Sequence, residues 1–238
     1  MDVEGCPLPD DLLYDVESHV WVRPLEAARA EIGVIASFGS FAGKFVAVRF
    51  REIPDDVSEG QSLATLESHR LTAPFRSPFT GVVLARNPAV VATPKLLNNA
   101  PYTDGWLARL EARADRPALS LVSARVARDR IAAEVRELRI RCYAAVPDVE
   151  LVEIGLECSA VLAKLDEEVA RREPDEIVLL VTDDPTSPIE MARWEMRTGH
   201  TLLSTQQDEN RYHFLVRREA QPVPRGRFAP GAGTAAPT

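Results

Sequence analysis

Two short stretches carry residue types whose spacing could do chemistry. The first is Gly155-Leu156-Glu157-Cys158. Its cysteine falls where a strand gives way to a helix. There, unsatisfied amide N–H groups and the positive end of the helix dipole favour a thiolate. A thiolate is the attacking group in thiol–disulfide exchange. Cys158 is therefore the candidate catalytic residue. Glu157 places a like charge beside it, which raises a thiol pKa, and Ser159 offers a side chain that could cap the helix in place of the sulfur. The second stretch is Leu66-Glu67-Ser68-His69-Arg70. It reads as a strand running into a polar hairpin tip. The guanidinium of Arg70 stays protonated and cannot serve as a nucleophilic amine. Lysines are scarce: among 28 basic residues, only Lys44, Lys95 and Lys164 are lysine.

The remaining reactive types point to structure. Cys6, Cys142 and Cys158 do not make a disulfide framework, and four scattered histidines lack zinc-ligand spacing. Cys6 reads as a thiol in a flexible terminus and Cys142 as a small packed hydrophobe. His200 and His213 could face each other across the final strands, yet two histidines make a poor metal site. Asp183 and Asp184 fall in an expected turn. No Gly-rich phosphate loop and no Ser/His/Asp arrangement is present, so neither a metal nor a bound cofactor is expected.

The elements that must position these stretches divide the chain by charge. Residues 1–111 carry 15 acidic and 10 basic side chains; residues 112–147 carry 4 and 8; residues 148–218 carry 16 and 8. The first segment reads as all-β: short apolar runs are broken at Pro54, Gly60, Pro74, Pro78 and Gly81, a spacing that suggests a sandwich or barrel. Over Lys44 to Arg51, Val46, Val48 and Phe50 are expected on one face. Residues 112–147 read as a basic helical connector, with an apolar stripe at Val122, Val126, Ile131, Val135, Leu138 and Cys142. Residues 148–218 alternate as β-α-β-α-β-β, an α+β layer domain. Its second helix starts at Ser187-Pro188-Ile189-Glu190, where Ser187 is expected to cap and Glu190 to complete a capping box. Gly199 ends that helix. The tail, 219–238, is rich in Pro, Gly and Ala and reads as disordered.

Composition excludes several function classes. With 238 residues, 45% of them hydrophobic, the chain holds one large domain or two small ones, each with a normal core. A net charge of −8 argues against generic nucleic-acid binding. No run approaches the roughly 18 apolar residues of a membrane span. The start lacks the basic and apolar regions of a signal peptide, so a reducing cytoplasm is expected.

Two resemblances sharpen this reading. Residues 8–111 resemble the glycine cleavage system H-protein. The match runs through Tyr14, His19-Val20-Trp21-Val22, Ile32-Gly33-Val34-Ile35, Gly43, Leu66 to Arg70, Ser77 to Val83, Asn87, Pro94, Asn98, Pro101-Tyr102 and Gly105-Trp106-Leu107. It implies a flattened all-β sandwich with a lipoyl-carrying lysine on an exposed hairpin turn. Glu67, Ser68 and His69 are the lipoylation-turn neighbours, and Arg70 occupies the lysine position, so no lipoyl group is expected. Residues 148–218 resemble the TusA-like sulfur carriers, through Gly155 to Cys158, Asp183-Asp184-Pro185, Trp194, Thr198-Gly199-His200 and Tyr212 to Arg217. That family implies a small α+β two-layer sandwich and a persulfide on Cys158. Its usual Cys-Pro-x-Pro is here Cys158-Ser159-Ala160-Val161.

Together these imply a cytoplasmic sulfur-trafficking protein, at most a sulfur carrier or sulfurtransferase component. Cys158 accepts and passes sulfane sulfur, and a non-lipoylated H-protein-like domain docks protein partners. The alternative is a non-catalytic scaffold or regulator that binds glycine-cleavage or lipoyl-handling enzymes. A third reading is an H-protein role in glycine cleavage itself.

Overall fold

The structure is a computed structural model describing residues 1–52, 54–113 and 120–225. It divides into two compact units, 1–146 and 147–238.

The first unit begins with a small hairpin, β1 (Asp2–Val3) and β2 (Cys6–Pro7). There follow β3 (Leu13–Asp15), β4 (Val20–Pro24), β5 (Arg29–Val34), helix α1 (Ala36–Ala42), β6 (Phe45–Phe50), β7 (Asp56–Val57), β8 (Ser62–Ser68), β9 (Thr72–Arg76) and β10 (Gly81–Arg86). Short helices α2 (Pro88–Ala92) and α3 (Leu96–Asn99) lead to β11 (Ala108–Ala112), β12 (Val122–Ser123) and helix α4 (Ala124–Glu137). A seven-stranded sheet, ordered β12-β3-β4-β5-β11-β10-β7, and a three-stranded sheet, β6-β8-β9, make the expected β-sandwich. Its main core includes Val22, Ile32, Val34, Phe45, Leu66, Phe75, Leu97 and Leu110.

Strand β4 shows why one core is not enough. Side chains alternate across a strand. Val20 and Val22 enter the main core, while Trp21 between them points the other way and is fully buried in a second core. Its indole Nε1–H donates to Pro101 O at 3.0 Å. Gly33 is paired opposite Trp21, and a Cβ there would lie 2.6 Å from the indole ring, so only glycine lets the ring lie flat on β5. The second core is closed by Ala127, Ile131 and Val135 of α4.

Several expectations are corrected here. Helix α4 belongs to the first unit's packing, and its buried face is Ala124, Ala127, Ile131, Ala132 and Val135. Val126 and Leu138, expected on the apolar stripe, are 60% and 46% exposed. Cys142 lies beyond the helix and is disulfide-bonded to Cys6, which is buried rather than in a loose terminus. Along β6, a register irregularity between Phe45 and Ala47 breaks the simple alternation: Phe45 and Val48 are buried and Val46 is exposed.

The second unit contains β13 (Val149–Glu153), α5 (Cys158–Ala170), β14 (Ile177–Thr182), α6 (Ser187–Thr198), β15 (Thr201–Asp208) and β16 (Arg211–Arg217), the expected β-α-β-α-β-β order. The sheet order is β13-β14-β16-β15, with β13 and β14 parallel and the other pairs antiparallel. Helices α5 and α6 pack on it through Val161, Leu165, Val169, Met191 and Trp194, against Val178, Leu180, Phe214 and Val216. Trp194 Nε1–H donates to Asp166 Oδ1 at 2.6 Å and ties the two helices together. Gly199 ends α6 in the left-handed conformation, φ 77°. Of the tail expected to be disordered, 226–238 lies outside the described residues. The part before it is placed: Arg225 N–H donates to Met196 O at 2.7 Å.

Candidate functional site

The hairpin β8–β9 brings Glu67, Ser68, His69 and Arg70 to one tip. Ser68 organises it. Its hydroxyl donates to Ala42 O at 2.7 Å and accepts the N–H groups of Arg70 and Leu71 at 3.2 and 3.1 Å. Ser68 N–H donates to Leu71 O at 2.9 Å, which closes the turn. Glu67 pairs with Arg49 on the neighbouring strand. His69 and Arg70 are exposed at the tip. The Arg70 side chain folds back onto the C-terminal end of α1. There its Nη1 meets Phe41 O at 3.5 Å, and its Cδ lies 3.3 Å from where a Cβ on Gly43 would stand. A guanidinium suits a helix C-terminus, where carbonyls are left unsatisfied. Lys44 follows Gly43 directly, whereas Lys95 adjoins α3.

The second site is built where β13 ends and α5 begins. Gly155 turns the chain at φ 72°. The two aspartates of the loop after β14 hold this turn from the end of the neighbouring strand: Gly155 N–H donates to Asp183 Oδ1 and Cys158 N–H to Asp184 Oδ2, each at 2.8 Å. Asp184 is fixed in turn by the N–H and hydroxyl of Thr186, both donating to its Oδ1 at 2.7 Å. These bonds hold the Asp184 carboxyl below its ordinary pKa, the Thr186 hydroxyl first, then the Thr186 amide. Asp183 and Asp184 therefore position the cysteine loop as well as their own turn.

This alters the electrostatics expected for Cys158. The first amide of α5 is given to a carboxylate rather than left for sulfur. Glu157, at the N-cap position, makes no side-chain cap bond, so the amide at Cys158 is satisfied from outside the helix by Asp184. Burial raises the half-buried Cys158 thiol above its ordinary pKa. The Ser187 hydroxyl draws it down, Asp184 pushes it up, Thr186 draws it down, and Glu190 pushes it up. The opposing carboxylates thus come from α6 and the loop before it, not from Glu157. No local spacing announces this, because Asp184 stands 26 residues away.

The two histidines do not form a pair. His200 Nδ1 accepts Glu219 N–H at 3.1 Å, while His213 sits on β16 opposite Gln206. Among the described residues, no group of three or more His, Cys, Asp or Glu is arranged to hold a metal ion, and no helix is long and apolar enough to cross a membrane.

The fold thus defines a two-domain chain, a β-sandwich followed by a small α+β layer domain. The chain belongs to the glycine cleavage H-protein family, whose model matches residues 12–134; residues 153–218 match the model described as Sulfurtransferase TusA. Glycine cleavage system H protein 2 of Aquifex aeolicus is 30% identical over 142 residues, covering 59% of this chain and 88% of that protein. The glycine cleavage system H protein of Listeria monocytogenes is 38% identical over 104 residues, covering 44% and 82%. A crystal structure of a glycine cleavage system H protein from Mycobacterium marinum aligns with a TM-score of 0.46 at 25% identity, covering 51% of this chain and 97% of the other.

Proposed function

We propose that this is a cytoplasmic sulfur-trafficking protein in which Cys158 carries sulfane sulfur between protein partners, and the H-protein-like unit docks partners without a lipoyl group. The observation that carries the reading is the placement of Cys158, the chain's free thiol, half-buried at the strand–helix junction of a TusA-like unit. The step balances without an external oxidant. The Cys158 thiolate attacks the outer sulfur of a donor persulfide, a new S–S bond forms, the donor's S–S bond breaks, and the donor leaves as a thiolate that takes up a proton. A raised thiol pKa suits holding more than rapid discharge. The thiolate that does form is the more nucleophilic, and Cys158 leaves a mixed species more slowly when an acceptor attacks.

A second reading is favoured by Arg70. The hairpin keeps its Ser68 hydrogen bonds while its tip residue lies against α1, which suits a surface recognised by glycine-cleavage or lipoyl-handling enzymes without carrying their cofactor. A direct H-protein role in glycine cleavage requires a lipoyl arm, and Arg70 offers no amine to bear one. Intact-mass spectrometry of protein purified from its own host separates these. A one-sulfur mass gain, lost in Cys158→Ala, is the expected result. A lipoyl adduct would overturn the proposal in favour of the third reading, and an unmodified chain that also refuses sulfur from a persulfide donor would leave the scaffold.

A further inference from the structure

Ser187 opens α6 with 1% of its surface exposed. The capping box expected for it is not formed. Thr186 occupies the N-cap position, but its side chain accepts no helix N–H, and the Glu190 carboxylate accepts from Arg193 Nη1 at 2.6 Å. The Ser187 Oγ is sealed from solvent and completes no hydrogen bond with the groups around it. A buried hydroxyl in that state carries an uncompensated desolvation cost, so its placement calls for a ligand.

One residue brings this hydroxyl to the sulfur site. Asp184 accepts the Cys158 N–H through Oδ2 at 2.8 Å and the Ser187 N–H through its main-chain carbonyl at 3.1 Å. Among the influences on the Cys158 thiol, the Ser187 hydroxyl is the one that most opposes burial, drawing its pKa down. Of the other side chains that act on this sulfur, the carboxylates of Asp184 and Glu190 accept hydrogen bonds and repel an anion, and the Thr186 hydroxyl is given to Asp184 Oδ1 at 2.7 Å. Ser187 holds the proton that is not spent elsewhere.

We propose that the Ser187 hydroxyl is the hydrogen-bond donor that holds anionic sulfur at Cys158: the thiolate and, resting on the sulfur-carrier reading above, the outer sulfur of its persulfide. It offsets the two carboxylates at the point where negative charge develops. The test uses the full chain with Cys6 and Cys142 paired, so that iodoacetamide reports Cys158. The alkylation rate at Cys158 is followed against pH by peptide mass spectrometry. Ser187→Ala is expected to raise the midpoint by about one pH unit, and Ser187→Thr, which keeps a hydroxyl, to restore it. Both variants are checked for an unchanged unfolding transition. An unmoved midpoint in folded Ser187→Ala would overturn the proposal. In a second arm the proteins are loaded with inorganic polysulfide, freed of it, and loss of the gained sulfur to a fixed concentration of added glutathione is timed. Faster loss from Ser187→Ala than from the parent supports the persulfide contact, and equal retention overturns that part. If the parent gains no sulfur while the midpoint still moves, the carrier reading falls and the assignment of Ser187 as donor to the thiolate stands.

Discussion

The Cys6–Cys142 bond closes a loop of 136 residues, which spans almost the whole first unit. Breaking it should leave the native packing largely in place. The N-terminal hairpin is also held by Val3 and Leu8 in the second core, by the Met1 amine on Leu8 O at 2.9 Å, and by the Glu4–Arg136 ion pair. The effect is therefore expected in the unfolded chain, which regains the freedom the crosslink removes. For a loop of this length, chain-entropy arithmetic gives about 5 kcal/mol, and compactness of the unfolded chain brings the measurable loss to about 3–5 kcal/mol. The perturbation is Cys6→Ala with Cys142→Ala. The assay is urea unfolding read by hydrogen exchange on peptides, so that the two units report separately. Peptides from β4 and β5 should lose protection at lower urea, whereas those from β14 and β16 should not shift. A loss below about 1 kcal/mol in the first unit, or three titratable thiols in protein purified without reductant, would refute the reasoning. In a reducing compartment the same bond ties the first unit's stability to the local thiol–disulfide poise.

Further outcomes follow from the two turns and the sheet. Arg70→Lys should accept a lipoyl group from a lipoate ligase with ATP, because the Ser68 hydrogen bonds that shape the turn remain; the parent chain should show none on residues 60–80, and a tryptic digest decides. Gly33→Ala drives a methyl group into the Trp21 indole and should destabilise the first unit by about 1–3 kcal/mol in denaturant unfolding. Asp184 has a depressed pKa in the folded state, so its stabilisation is complete above its ordinary value of 3.8 and is lost as pH falls through the lower folded value. Asp184→Asn should flatten that acid limb of the second unit's stability, as measured by thermal melts from pH 5 down to about 2.

The order of elements in the second unit was legible because its signals are local. The apolar run of β14, the Ser187-Pro188 start of α6 and the Gly199 stop each sit within one turn of the feature they mark. The hairpin tip was legible for the same reason. What escaped depends on distant partners. The apolar side of α4 uses three alanines, which hardly register as hydrophobic, while the stronger signals at Val126 and Leu138 point outward. The disulfide joins a two-residue strand to a segment beyond α4, and no spacing encodes that meeting. The place of Cys158 at a strand–helix junction was legible, but its surroundings were not. Asp184 takes the helix amide that was expected to serve the sulfur, and Ser187 does not cap its own helix.

The pairing of Cys6 with Cys142 fixes the thiol stoichiometry of the molecule. The oxidised chain offers one thiol and so, if it carries sulfur, one sulfur equivalent per molecule. Many thiol enzymes clear a bound sulfur by closing an internal disulfide onto a second cysteine. Here both other cysteines are already spent on each other, so Cys158 has no resolving partner within its own oxidised chain. Discharge must then be bimolecular: its rate should scale with the concentration of an external thiol, and the loaded protein should persist when purified away from one.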